Sequence, residues 1–371
     1  MLAGNTENIL SDVVIIGGGI IGMLTARELH NAGVDVLVIE RGPLGGESSW
    51  AGGGIISPLY PWRYSRAVNQ LAEISKTIYP QLAQQLQDES GVDCELITSG
   101  LLYADLDEQQ QAQSWASEWS VDLQTVTDAQ HVHQIEPEVN AAIDGGLWLP
   151  DIMQIRNPKL VKALKGSFDS LGIKYHEHMP VTELMIDAGF IRGVKTSTGS
   201  YQADKVIIAS GAWSAGFIKD EKNVEVEPVK GQMIMFRGES GLIKRMVLSS
   251  GHYIIPRKDG RVLAGSTLER TGFDKTVTDD AMVELRRAAI EIIPALADME
   301  VERQWAGLRP GTEQGIPYIC QHPEIDGLYI NAGHYRNGVV LGAASVRLMA
   351  EMVLGQNPSI DPAPYKLDAD H

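Results

Sequence analysis

The first regular pattern in the chain lies between residues 12 and 40. Asp12–Ile16 is a continuous β-branched run, as expected for a strand buried on both faces of a parallel sheet. Ile20–Ala32 carries apolar residues at helical spacing and stops at Gly33, a residue suited to ending a helix. Val34–Ile39 is a second apolar strand. Together they predict a strand–helix–strand unit of about 30 residues.

Further along, residues 68–90 predict an amphipathic helix, with Leu71, Ile74, Ile78, Leu82 and Leu86 on one stripe. Residues 91–150 read as short strands and polar segments, including a Gln/Glu-rich stretch at 108–119. Trp115 and Trp119, one helical turn apart, read as a packing stripe. Residues 157–172 predict a helix with Asn157 as N-cap and Pro158 at its first position. Alternating segments follow, and "HYIIPRKDGRVLAGST" reads as a hairpin around Lys258-Asp259-Gly260. Residues 278–293 predict a helix closed by Pro294, and Val339–Met349 is a late apolar helical run. No internal repeat or low-complexity linker separates these pieces, so two interleaved domains are expected.

Composition narrows the class. The 371 residues are 44% hydrophobic and 21% charged, ordinary for a soluble enzyme with a large core. The net charge of −17 argues against nucleic acid and against an anionic membrane surface as partners. The two cysteines, Cys94 and Cys320, suggest neither a disulfide framework nor a metal site. The N-terminal "MLAGNTENILSD" shows no basic region and no cleavage pattern of a leader, which makes the cytoplasm the expected location.

The chemistry begins at Gly17-x-Gly19-x-x-Gly22, between the first strand and its helix. The first glycine permits a tight turn, the second a close approach of backbone to a pyrophosphate, and the third close helix–strand packing. The diphosphate would sit at the helix N-terminus. Glu40 ends the second strand, placed to accept hydrogen bonds from a ribose diol; Arg41 beside it does not establish a 2′-phosphate. The glycine- and serine-rich "GPLGGESSWAGGGIISP" (42–58) suits a loop running beside a long cofactor. "ADKVIIASGAWS" (203–214) ends a strand in small residues, which suits either backbone near the adenine or a plain core turn. The histidines form no metal-ligand spacing. Arg336 stands just ahead of the last apolar helix. From pattern alone it is as well read as a surface ion-pair partner.

The fingerprint, "SSWAGGG", "IIASGAWS", "WAGLRPGT" and "AGHYRNGVVL" occur in the order of the D-amino acid oxidase superfamily of FAD enzymes. Within it, "YIIPRKDGRVLAGST", "WAGLRPGTEQGIPYI" and "GHYRNGVVLGAAS" are most similar to the glycine oxidase branch, associated with making the thiazole of thiamine. The resemblance covers nearly the whole chain; "YPWRYSRA" and residues 105–135 match less clearly.

The resemblance implies an α/β fold with a Rossmann-like FAD-binding domain (1–82, 150–222 and 306–371) interleaved with an α+β substrate domain built on an antiparallel sheet (83–149 and 223–305). It implies non-covalent FAD, with Cys320 a small core residue. Cofactor contacts would come from Gly17, Gly19, Ile20, Ile21, Gly22, Glu40 and Arg41. Others would be Ser48, Ser49, Gly53, Gly54, Ile55, Val181 and Gly211. The late segment would add His334, Tyr335, Arg336, Asn337, Gly338, Val339 and Val340. Arg309 and Arg336 would hold a substrate carboxylate, Tyr253 would add a hydroxyl, and Leu268 is a candidate for the pocket wall. The implied reaction is oxidative deamination of glycine or another small amino acid or amine by hydride transfer to the flavin. Its products are the 2-oxo acid, ammonia and hydrogen peroxide, with O2 as acceptor; no side chain stands out as a base. The rival readings are a sarcosine oxidase, a D-amino acid dehydrogenase, and a non-catalytic dinucleotide-binding redox sensor. A homo-oligomer is the expected assembly.

Overall fold

The computed structural model describes residues 9–218 and 224–369. The expected division at 222/223 and most of the N-terminal segment "MLAGNTENILSD" lie outside them.

One sheet follows from the first unit. Val13–Ile16, Val36–Ile39, Lys174–His176, Lys205–Ile208 and Leu328–Ala332 run parallel, and Tyr318–Gln321 adds an antiparallel edge. The two first strands are buried at every position, which is why their sequence is a solid apolar run. Helices Ile20–Asn31, Arg66–Ser90, Asn157–Leu171 and Gly338–Val353 cover one face and share a core with it. The late helix returns to the starting domain for this reason: it packs against Ile20–Asn31 and Arg66–Ser90. A four-stranded sheet that includes the hairpin Val181–Asp187 and Phe190–Thr196 packs beside it.

The second large sheet has eight strands. Its order is Val301–Gly311, Glu227–Arg237, Arg261–Gly265, His252–Pro256, Met246–Ser249, Leu101–Tyr103, Gly146–Leu149 and Gln124–Val126. It is antiparallel except for Met246–Ser249 with Leu101–Tyr103, which run parallel. Helix Asp279–Ile292 packs on one face, with Thr278 capping its first turn.

Several local expectations change. The Gln/Glu-rich stretch is mostly helix, Gln109–Trp119, and a second short helix spans Ala129–Ile135. Trp115 is buried on the first of them. Asn157 does not cap its helix. Arg156 holds the cap position, and Asn157 donates its amide to the Ser49 carbonyl at 2.9 Å. The expected divisions at 82/83 and 305/306 fall inside helix Arg66–Ser90 and strand Val301–Gly311, so sheet membership divides the chain elsewhere.

Candidate active site

The C-terminal ends of the parallel strands open onto a groove of about 430 Å³, lined by Ile16, Ile39 and Ala209 among others. Ligands bind at this edge of open α/β sheets. Gly17 has φ +109°, and a Cβ there would lie 2.5 Å from the Ala209 carbonyl oxygen. Gly22 is equally constrained, since its Cβ would stand 1.9 Å from Gly17 O. Gly22 lines neither recess of the site and serves helix–strand packing instead. Gly19 precedes the helix, and Ser49 Oγ accepts from the Ile20 N–H at 2.8 Å. No acidic residue occupies the first helical turn, so this N-terminus is open to an anion.

Glu40 is buried. Its two oxygens accept from Gly18 N at 2.7 Å and Gly42 N at 2.8 Å, and each keeps a further lone pair. Arg41 pairs with Glu47 at 2.7 Å and lies 3.3 Å over the Trp213 ring. Ser48, Ile21, Val181 and Gly211 also line the groove.

A second recess, of about 90 Å³, adjoins the first, and Ser48, Gly52, Arg309, Arg336 and Val339 line both. Tyr253 enters it from the hairpin strand, and Gly53, Gly54, Ile55, Asn337 and Val340 also line it. Arg309 comes from strand Val301–Gly311. Its Nη1 donates to the carbonyls of Lys230 and Thr267 at 3.3 and 3.2 Å, and its Nη2 to Ser266 Oγ at 2.7 Å. Burial lowers its pKa, with Arg336 nearby adding to the effect and Tyr253 opposing it. Arg336 comes from the short turn Tyr335–Asn337 that leads into the last helix. Among the described residues neither arginine has a carboxylate within 4.0 Å. Two guanidinium groups around one small recess call for an anion between them. No carboxylate, imidazole or amine lines the recess among the described residues; its apolar wall is Ile55, Leu59 and Met233.

Behind Arg336 runs a buried polar chain. Ser345 Oγ donates to Asn331 Oδ1 at 2.7 Å, so His334 Nε2 donates to Ser345 Oγ at 2.8 Å. Burial pushes the His334 imidazole down to about 3, which keeps it neutral. His334, Tyr335, Gly338 and Asn331 face the larger groove. The amide nitrogens of Asn331 and Asn337 are buried without a hydrogen-bond partner among the described residues. These orphaned donors, the glycine cradle and the open helix N-terminus fit a cofactor rich in carbonyl and phosphate oxygens, as FAD is.

Leu268 does not form part of the wall; it is half exposed and lines neither recess. The sequence reading also missed Gly231, Met233 and Ser266, which reach Arg309 or the recess across paired strands. One signal was present: Gly231 interrupts the apolar strand "VKGQMIMF", and a glycine inside a strand marks a close approach.

A Rossmann-type groove that runs into a small cationic recess defines a dinucleotide-dependent oxidoreductase. The chain belongs to the family of FAD-dependent oxidoreductases, whose model matches residues 12–352, and its cofactor is FAD. It is 48% identical over 355 residues to the glycine oxidase of Pseudomonas aeruginosa, covering 95% of this chain and 97% of that protein. It is 31% identical over 356 residues to the bifunctional protein ThiO/ThiG of a Synechocystis species, covering 94% of this chain and 52% of that protein. It matches the crystal structure of glycine oxidase from Geobacillus kaustophilus with a TM-score of 0.92 at 30% identity, over 98% of this chain and 100% of that one.

Proposed function

We propose that this chain oxidises glycine and other small amino acids or amines. Glycine, O2 and water would give glyoxylate, ammonia and hydrogen peroxide. The observation that carries the reading is the convergence of Arg309, Arg336 and Tyr253 on a recess of about 90 Å³ beside the dinucleotide groove. A carboxylate held by two guanidinium groups is fixed in orientation as well as charge. Bound FAD supplies the two-electron acceptor. The apolar wall disfavours a charged ammonium, so the substrate reacts as the neutral amine. With no carboxylate, imidazole or amine in the recess among the described residues, orientation and desolvation are the chain's contribution to rate. In this reading the product feeds formation of the thiamine thiazole, a role supported by the resemblance to the glycine oxidase branch.

The chain would act as a homo-oligomer in the cytoplasm without a nucleic-acid or membrane partner. The net charge of −17 supports the exclusion of nucleic acid and of an anionic membrane surface. The test of function is an anaerobic spectrum. Glycine should bleach the flavin, and admitting O2 should restore the colour with release of peroxide. A flavin that stays oxidised with glycine and every small amine tried would leave the redox-sensor reading. Bleaching without reoxidation by O2 would favour a dehydrogenase.

A further inference from the structure

Arg257 directly follows the hairpin strand His252–Pro256 that carries Tyr253, and it points inward, only 6% exposed. Its Nη2 donates to the Gly53 carbonyl at 2.6 Å. Its Nη1 donates to Gln154 Oε1 at 2.7 Å and to the Ile155 carbonyl at 3.2 Å. Among the described residues its Nε has no hydrogen-bond partner. Among the described residues no carboxylate lies within 4.0 Å of it. The nearby acids are engaged elsewhere: Glu95 with Arg156 and Lys159, and Asp259 with Arg156 and Arg261. Burial lowers the Arg257 pKa to about 10, so the group remains a cation at neutral pH. A buried cation without a counter-ion is costly, and a purely structural tie could be made by a neutral side chain.

The place of this charge suggests what it does. Gly53 lines the small recess, and its Cβ would stand 2.8 Å from Ile255 Cδ1 and 3.3 Å from Tyr253 Cε2. The glycine loop is thus pressed between the recess and the hairpin. The Gly53–Gly54 peptide is trans, so its N–H points away from the carbonyl that Arg257 holds. A guanidinium on that carbonyl polarises the peptide and strengthens its N–H as a donor.

We propose that Arg257 is a positioning residue for the bound flavin: its unpaired charge, set behind the Gly53–Gly54 peptide, favours the negative charge that the cofactor gains on reduction. This rests on the reading that FAD contacts Gly53, Gly54 and Ile55. It does not depend on the carboxylate clamp.

The experiment is a midpoint-potential titration of the FAD-loaded protein without substrate, with FAD affinity measured in parallel. Gln154→Glu is the informative variant. A carboxylate at Gln154 Oε1 keeps the hydrogen bond to Arg257 and neutralises its charge, and Ser99, which now accepts from the amide at 2.9 Å, can donate instead. Gln154→Glu and Arg257→Gln should each disfavour reduction about tenfold, a fall of about 30 mV for a two-electron couple. Arg257→Lys should keep more of the wild-type potential than Arg257→Gln. Wild-type potentials in Gln154→Glu would overturn the proposal, as would an equal fall in Arg257→Lys and Arg257→Gln. Should Arg257→Gln fail to hold FAD, Gln154→Glu decides alone. Because no substrate is present, an unchanged potential leaves the glycine reading standing, and loss of the glycine reading leaves the potentials interpretable.

Discussion

Gly231 lies directly against the guanidinium of Arg309: a Cβ at residue 231 would stand 2.1 Å from Arg309 Nη2. The two residues sit on neighbouring antiparallel strands, with Val229 opposite Arg309 and Gly231 opposite Gly307. The absent side chain leaves room for the arginine to lie along its partner strand, where the Lys230 and Thr267 carbonyls hold it. Gly265 does the same for Tyr253, since its Cβ would stand 2.8 Å from the phenolic oxygen. Two glycines far apart in sequence thus shape the room for two of the proposed substrate contacts.

Gly231→Ala should therefore push Arg309 out of place while leaving the Gly17–Gly19 turn and Glu40 of the dinucleotide groove as they are. A displacement of about 1 Å at a positioning group costs roughly 100-fold in rate. We expect kcat/KM for glycine to fall by about that factor while FAD affinity stays at the wild-type value. Steady-state kinetics beside an FAD titration checks this. Wild-type turnover would mean that the arginine accommodates the methyl group or that its position is immaterial.

Glu40 binds two backbone amides, Gly18 and Gly42, and faces the groove. In Glu40→Gln one acceptor becomes an amide donor, and the charge that strengthens any ribose hydrogen bond is lost. Hydrogen bonds to charged groups are worth ~1.5–3 kcal/mol, so FAD affinity should weaken at least about 10-fold. Fluorescence titration of apoprotein with FAD measures it; an unchanged affinity would place the ribose elsewhere.

His334 makes a pH prediction. Its folded-state pKa is lowered from 6.5 to about 3 by burial, so at acid pH the unfolded chain takes up the proton first. The stability contributed by the neutral imidazole is complete above pH 6.5 and drains away as pH falls toward 3. The slope from one such proton is about 1.4 kcal/mol per pH unit. Urea unfolding between pH 7 and 5 should show this extra slope in wild type and lose it in His334→Gln, whose amide can still donate to Ser345. Equal slopes in both proteins would show that the ring protonates without unfolding the chain.

The legible parts of the fold were the local ones. The first strand, its helix and Glu40 declare themselves because a parallel strand is apolar at every position and the glycine spacing is a short-range constraint. The late helix was visible as a run, but its packing on Ile20–Asn31 was not, since a one-dimensional pattern carries no partner. Helix Gln109–Trp119 showed only as the Trp115/Trp119 stripe, because its apolar side is otherwise just Ala112 and Ala116 among glutamines. Asn157 looked like a cap because Asn before Pro favours one; the Ser49 carbonyl claims its amide instead. In the site, Arg309, Arg336 and Tyr253 came from resemblance, not from pattern. Gly231, Met233 and Ser266 stayed unseen because they meet Arg309 or the recess through strand pairing across long sequence separations. Leu268 was placed by its neighbours in sequence, yet its side chain is half exposed.

The central claim is that Arg309 and Arg336 hold the substrate's carboxylate. The most direct measurement compares Arg309→Ala and Arg336→Ala with wild type, each loaded with FAD, on glycine and on a small amine without a carboxylate that wild type turns over slowly. Lost charge pairing and misplacement of the reacting carbon should lower kcat/KM for glycine by roughly 100-fold or more. Lysine at either position should restore it only partly, because an ammonium lacks the planar fork. The account predicts that turnover of the carboxylate-free amine hardly changes in either alanine variant. Equal losses on glycine and on the amine would contradict it and make the arginines supports of the fold or of the flavin.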